Sequence, residues 1–192
     1  MDPYAAVILA GGAARRLGGV DKPMLTVQGR PMLHRVLDAV PDAADRIVVG
    51  PPSLRVPAGA RRVREEPPGG GPVAATAAGL AGVTAPTVAL LAADLPFLGP
   101  AAIVTLRTAL AASTLDGVVF LDGDGRRQTL CGVWRTDPLI AALARIGPPA
   151  GVPLRELLAG LRIGEVSADI GGPPPWYDCD EPDDLHRAEE WT

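Results

Sequence analysis

At 192 residues, with 47% hydrophobic and 21% charged side chains, the chain has the composition of a folded domain and not of a disordered segment. A net charge of −4 and a pI near 5.2 argue against a general nucleic-acid binder, and two cysteines, Cys131 and Cys179, are too few for a disulfide framework or a cysteine zinc site. No apolar run approaches the roughly 20 residues needed to span a bilayer. The opening MDPYAAVILAGG also lacks the basic start and cleavage site of a signal peptide. The expectation is one domain over residues 1–192, working in the cytoplasm, with no nucleic-acid or membrane partner.

Ala6 to Leu9 read as a buried strand that stops at Gly11-Gly12. The loop beyond it holds Arg15, Arg16, Gly18-Gly19, Asp21 and Lys22. Glycines let backbone N–H groups approach an anion without a Cβ in the way, and two arginines and a lysine supply the countercharge a triphosphate needs. Lys22 is the only lysine in the chain. A sequence that otherwise uses arginine throughout, yet keeps one ammonium here, points to a position where a planar guanidinium is not equivalent. A solvated turn with ordinary surface arginines is the alternative. Neither common phosphate fingerprint fits, because Gly19 is followed by Val20-Asp21-Lys22 and no G-x-G-x-x-G opens a helix.

Met24 to Val27 reads as extended, and a helix starts at Pro31, with Met32, Leu33, Val36, Leu37 and Val40 at helical spacing. Arg46 to Val49 is the next strand, followed by a weaker one at Arg61 to Arg64. A glycine-rich loop, Arg64 to Ala75, then runs into a small-residue helix, Val73 to Leu80. Thr87 to Ala92 is a continuous apolar run, as expected of a central strand with both faces covered. It delivers Ala93-Asp94-Leu95-Pro96 ahead of a helix over Pro100 to Ala112. Gly117 to Leu121 and Thr129 to Trp134 are strands around the turn Asp122 to Gly125. Arg126 sits in what would be a ligand position of a calcium loop, which favours a plain hairpin. Helices at Pro138 to Arg145 and Leu154 to Leu161, a strand at Ile163 to Val166, and a helix from Pro182 complete the chain. Strands alternating with helices predict an α/β fold: a three-layer α/β/α sandwich on a mostly parallel, mixed sheet. Ligands in such sheets sit at the carboxyl ends of strands, where both the first loop and Asp94 lie.

The stretch Leu9 to Lys22, LAGGAARRLGGVDK, resembles the signature loop of the molybdenum cofactor guanylyltransferases, members of the nucleotidyltransferases with a Rossmann-like, glycosyltransferase-A-type fold. The resemblance implies that GMP passes from GTP to the phosphate of molybdopterin (or the molybdenum cofactor), with pyrophosphate leaving. It further implies nucleotide contacts from Leu9, Ala10, Gly11, Gly12, Arg16, Lys22, Glu65, Gly70 and Asp94. Catalytic roles would fall to Arg16, Lys22 and Asp94, and Mg²⁺ would sit on Asp94 and Asp180. Gly11 is similar to the guanylyl-transferring members, whereas cytidylyl-transferring relatives tend to carry alanine there. Asp94-Leu95-Pro96 looks like the family's D-x-P metal motif, though an aspartate here could instead cap the following helix or form an Asx-turn. Asp178 to Leu185, DCDEPDDL, resembles the family's N-x-N-T-P-x-D-L, with both asparagines replaced by aspartates and the threonine by Glu181. Asp180 thereby keeps an oxygen ligand and is also a good N-cap for the last helix. Asp178, Asp183 and Asp184 read as a solvated acidic helix start.

Arg126, Arg127, Gln128 and Arg155 are candidates for contact with the acceptor or, equally, solvated surface groups. Cys131, Cys179, His34 and His186 receive no catalytic role. The acceptor phosphate is already anionic near neutral pH, so the expected reaction needs no general base. Three alternatives stay open: cytidylyl transfer to molybdopterin, guanylyl transfer to another small phosphate, and a nucleotide-binding maturation factor that transfers nothing. Transient contact with other cofactor-maturation proteins is a further expectation.

Overall fold

A computed structural model describes residues 1–11, 21–167 and 172–191. Its frame is a seven-stranded sheet built from β1 (Tyr4–Leu9), β4 (Asp45–Val49), β5 (Arg61–Val63), β6 (Thr87–Ala92), β7 (Gly117–Leu121), β8 (Arg127–Arg135) and β9 (Ile163–Ser167). The order across the sheet is β5-β4-β1-β6-β8-β7-β9. β8 runs antiparallel to both neighbours, while the β5-β4-β1-β6 pairings and the β7-β9 pairing are parallel. A two-residue pair, β2 (Thr26–Val27) and β3 (Arg30–Pro31), forms a separate antiparallel ribbon.

Side-chain alternation along the strands sorts the core into two faces. Tyr4, Ala6 and Ile8 of β1, with Val48, Ala89 and Leu91, pack under α1 (Met32–Asp38) and α3 (Pro100–Ala111). Ala5, Val7 and Leu9, with Ile47, Val49, Val88 and Leu90, pack under α2 (Gly71–Leu80), α4 (Thr136–Ile146) and α5 (Leu154–Leu158). The fold is thus the expected three-layer sandwich on a mixed sheet. Helix α2 lies close on β1, because a Cβ at Gly79 would run into Val7 Cγ1 and stand 3.1 Å from Val49 Cγ2. Among the described residues no helix is long and apolar enough to cross a membrane.

Several boundaries differ from the sequence reading. The piece after Lys22 begins as a 3-10 turn over Lys22–Met24 and only then becomes extended. Pro31 belongs to β3 and precedes α1 instead of opening it. α5 stops at Leu158, three residues early, and β8 is longer at both ends, since antiparallel partners on each side continue its ladder. Asp122 holds the β7–β8 hairpin, accepting from the N–H groups of Asp124 and Arg126 through Oδ1; the turn is a plain hairpin, as expected.

Candidate active site

The carboxyl ends of β1, β4 and β6 are tied together by the residues just past β1 and β6. Ala93 N–H donates to the Leu9 carbonyl at 3.1 Å and Ala10 N–H to the Val49 carbonyl at 2.8 Å. Leu9 fills the core with its side chain, and the Ala10 amide is spent within the sheet. Both residues therefore serve the site by fixing where Gly11 and Asp94 emerge.

Asp94 meets two residues remote in sequence. Lys22 Nζ donates to Asp94 Oδ2 and to Asp180 Oδ1, each at 2.6 Å. The Lys22 side chain is only 7% exposed, against 67% for Asp180. Lys22 projects from the 3-10 turn, whose backbone is fixed by Met24 N–H to the Asp21 carbonyl and Leu25 N–H to the Lys22 carbonyl. Asp180 arrives on an extended segment in which alternate residues face opposite ways. Cys179 points inward, buried with Val27, Met32 and Ala188, and its N–H donates to the Asp94 carbonyl at 3.3 Å. That anchor leaves Asp178 and Asp180 on the open side.

The charges respond accordingly. Desolvation, the largest influence on Lys22, pushes its pKa down, but the hydrogen bonds to Asp180 and Asp94, together with the negative charges of both, outweigh it and hold the ammonium above its ordinary value. The Lys22 hydrogen bond holds Asp180 below the usual carboxylate range. Asp178 moves the other way, raised first by desolvation and then by the negative charges of Asp180 and Asp94. Beside these groups lies an open cleft of about 300 Å³, lined by Asp94, Asp178, Asp180, Arg127, Gln128 and Trp176 among others.

Glu65, which does not line this cleft, ties the two glycine segments together. Its Oε1 accepts from Gly69 N–H at 3.0 Å and would lie 3.7 Å from a Cβ placed on Gly11. One buried carboxylate thus spans the first loop and the glycine loop. Gly70 packs tightly there, a Cβ on it standing 2.8 Å from Ala74 Cβ, and its carbonyl accepts from Gly151 N–H.

Two alternatives left open by the sequence are decided by these contacts. Asp180 does not cap the last helix, α6 (Pro182–Glu190): Glu181 does, in a reciprocal capping box with Asp184. Asp94 does not cap α3 either, whose N-cap is Gly99. The reading of Asp178 as part of a helix start is corrected, since it faces the cleft. Its two-residue spacing from Asp180 was the available signal. Trp176, tilted on Phe120 with ring centroids 5.1 Å apart, was missed because nothing in the sequence marks a lone tryptophan after a proline run. Arg127 and Gln128 reach the cleft; Arg126 and Arg155 are not among its lining residues. Gly12 and Arg16 lie outside the described residues. Cys131 and Cys179 are buried, their thiols each pushed up to about 12 by desolvation, which suits the inert role expected of them.

Among the described residues no cluster of three or more His, Cys, Asp or Glu side chains has metal-site geometry. Asp94 and Asp180, whose oxygens converge on one ammonium, are the carboxylates here that could hold a hard cation, with other oxygen ligands completing its shell. An α/β sheet that gathers two carboxylates and a lysine at its carboxyl edge, beside an open cleft, has the layout of a phosphate-handling enzyme. The profile of the MobA-like NTP transferase domain matches residues 6–164, and the chain belongs to that family. It is 32% identical over 182 residues to a molybdenum cofactor guanylyltransferase of Cupriavidus necator, with 88% of each chain covered. The fold is also that of molybdopterin-guanine dinucleotide biosynthesis protein A from Archaeoglobus fulgidus, at a TM-score of 0.73 and 20% identity over 97% of each chain. A Mycobacterium tuberculosis protein solved as a complex with manganese superposes at a TM-score of 0.72, with 20% identity over 99% of each chain.

Proposed function

We propose that this enzyme transfers GMP from GTP to the phosphate of molybdopterin or the molybdenum cofactor, releasing pyrophosphate. The observation that carries the reading is the meeting of Lys22, Asp94 and Asp180 at 2.6 Å beside an open cleft, in a chain of this family. Asp94 and Asp180 would hold Mg²⁺, a donor pair of hard oxygens that suits it; that a protein of the same fold was solved with manganese supports a divalent cation. When bound, the cation supplies neutralisation of phosphate charge.

The chain's own groups do the rest. Gly11, with Gly12 and Arg16 as the resemblance of the loop implies, would receive the phosphate chain, and Lys22 would supply a compact positive charge to the phosphates. Glu65 and Gly70 border the nucleoside. One Glu65 oxygen is held by Gly69, which leaves the second to accept from a base. Guanine presents adjacent N–H donors on its pairing edge, whereas cytosine presents one donor beside an acceptor that a carboxylate would repel. That favours GTP over CTP. The acceptor phosphate would enter past Arg127 and Gln128 and attack the α-phosphorus in line, with no side chain removing a proton. Catalysis then rests on positioning and electrostatics. The same reading takes the protein to be cytoplasmic and a single domain.

The test is metal-dependent pyrophosphate release with molybdopterin, offering GTP, CTP, ATP and UTP in parallel. Turnover with GTP well above the others supports the reading. A CTP preference moves the protein to cytidylyl transfer, and tight GTP binding without release leaves only a carrier.

A further inference from the structure

The three charged groups at the centre of the site set up a conflict of space. Lys22 Nζ stands 2.6 Å from both Asp94 Oδ2 and Asp180 Oδ1. A Mg²⁺ ion on the same two oxygens would need them at about 2.0–2.1 Å, in the volume the ammonium fills. Either cation can bridge the pair, but not both at once.

We infer that Lys22 is a displaceable placeholder: its ammonium fills the divalent-cation position while the nucleotide site is empty and yields it when a phosphate chain offers another anionic partner. The inference rests on the metal site proposed above. Three observations carry it. The ammonium is nearly sealed from solvent and takes both carboxylates at once, so it competes for the whole donor pair and not for one oxygen. The backbone that bears it is pinned, by Leu25 N–H on the Lys22 carbonyl and by Met24 N–H on the Asp21 carbonyl, so the side chain alone has to move. Lys22 is also the only lysine of the chain. A compact ammonium on a flexible four-carbon stem can fill an ion-sized position and then leave it, which a wide guanidinium cannot.

The consequence is an ordering of events. Without nucleotide, a divalent cation has to displace two charge-assisted hydrogen bonds, so it binds weakly. With a triphosphate present, the released ammonium is re-used, and metal and nucleotide strengthen each other's binding by the same factor. Empty enzyme thereby keeps its two carboxylates bridged by one positive charge without holding metal.

The experiment titrates Mn²⁺ into nucleotide-free protein, following free Mn²⁺ by electron paramagnetic resonance, for the native chain, Lys22→Met and Lys22→Gln. The glutamine variant retains a hydrogen-bond donor if the methionine variant folds poorly. Both variants are expected to bind at least tenfold tighter than the native chain, and adding Asp94→Asn to either should abolish the gain. Equal or weaker Mn²⁺ binding by both variants, with the native chain binding one ion, would overturn the placeholder role and leave the metal site standing. No binding by any of the proteins would overturn both.

Discussion

Asp94→Asn separates the catalytic role of the site from its structural one. In the native protein Asp94 supplies one of two 2.6 Å acceptors to a nearly buried ammonium. A hydrogen bond to a charged group is worth about 1.5–3 kcal/mol, and the amide oxygen of asparagine recovers part of that, so folding stability should fall by only about 1–2 kcal/mol. Lys22 keeps Asp180, and the Asp94 carbonyl keeps the Cys179 amide, so the C-terminal segment stays in place. Turnover should suffer far more. Losing one preorganised electrostatic partner of a transition state costs about 10²–10³ in rate, equivalent to about 2.7–4 kcal/mol. The two effects are read on the same preparation: urea unfolding in the presence of a chelator for stability, and pyrophosphate release at saturating GTP and Mg²⁺ for turnover. A variant that folds with a small stability loss yet keeps turnover within threefold would refute the assignment of Asp94 to the reacting phosphates. A variant that does not fold would refute the view that its contact with Lys22 is only part of what joins the two segments.

Glu65→Gln replaces an acceptor-only group with an amide that both donates and accepts, so the ratio of kcat/KM for GTP over CTP should drop about tenfold or more; an unchanged ratio would remove Glu65 from base selection. Trp176→Ala opens the cleft that Arg127 and Gln128 also line, and should raise KM for the acceptor while the Kd for GTP, measured calorimetrically, stays constant. Gly79→Val drives a branched side chain into Val7 and should cost about 1–3 kcal/mol of stability in urea, more if the α2–β1 contact cannot relax. Asp116 accepts three hydrogen bonds from Arg162, two from its guanidinium and one from its backbone N–H, and is held below the usual carboxylate range mainly by the side-chain hydrogen bond from Arg162. Its folded pKa is lower than its unfolded one, so the contribution is full above the unfolded value of about 3.8 and is lost as pH falls through the folded pKa. The difference in urea midpoint between the native chain and Asp116→Asn should therefore be largest near pH 7 and shrink toward pH 3; a constant difference would contradict the ion-pair account.

Much of this could be read in advance, for a definite reason. The sheet is legible because parallel strands covered on both faces need unbroken apolar runs, as in Thr87–Ala92, and because each such run ends at a residue with no packing role, such as Asp94. The helix boundaries were less legible. Pro31 suits a first helical turn by its φ, yet the β2–β3 ribbon claims it, a tertiary preference that local sequence does not carry. The partnership of Lys22 with Asp94 and Asp180 was harder still: the separations are 72 and 158 residues, and only the fold closes them.

The C-terminal segment shows how one local detail frees a functional group. A helix start needs an acceptor for its first N–H groups, and aspartate is among the best candidates, so Asp180 had a structural use available to it. The chain places that use one residue later, at Glu181, whose side chain accepts from the Asp184 N–H while Asp184 returns the favour at 2.8 Å. Cys179, one residue earlier, is drawn into the small cluster under the ribbon. With its neighbours committed on both sides, Asp180 has no remaining structural obligation and only one direction to face, toward Lys22 and Asp94. A glutamate at position 181 is thus part of the reason a carboxylate at position 180 can serve a cation. Exchanging Glu181 for alanine should let Asp180 compete for the helix cap and weaken Mn²⁺ binding, while Glu181→Thr, which still caps, should leave it intact.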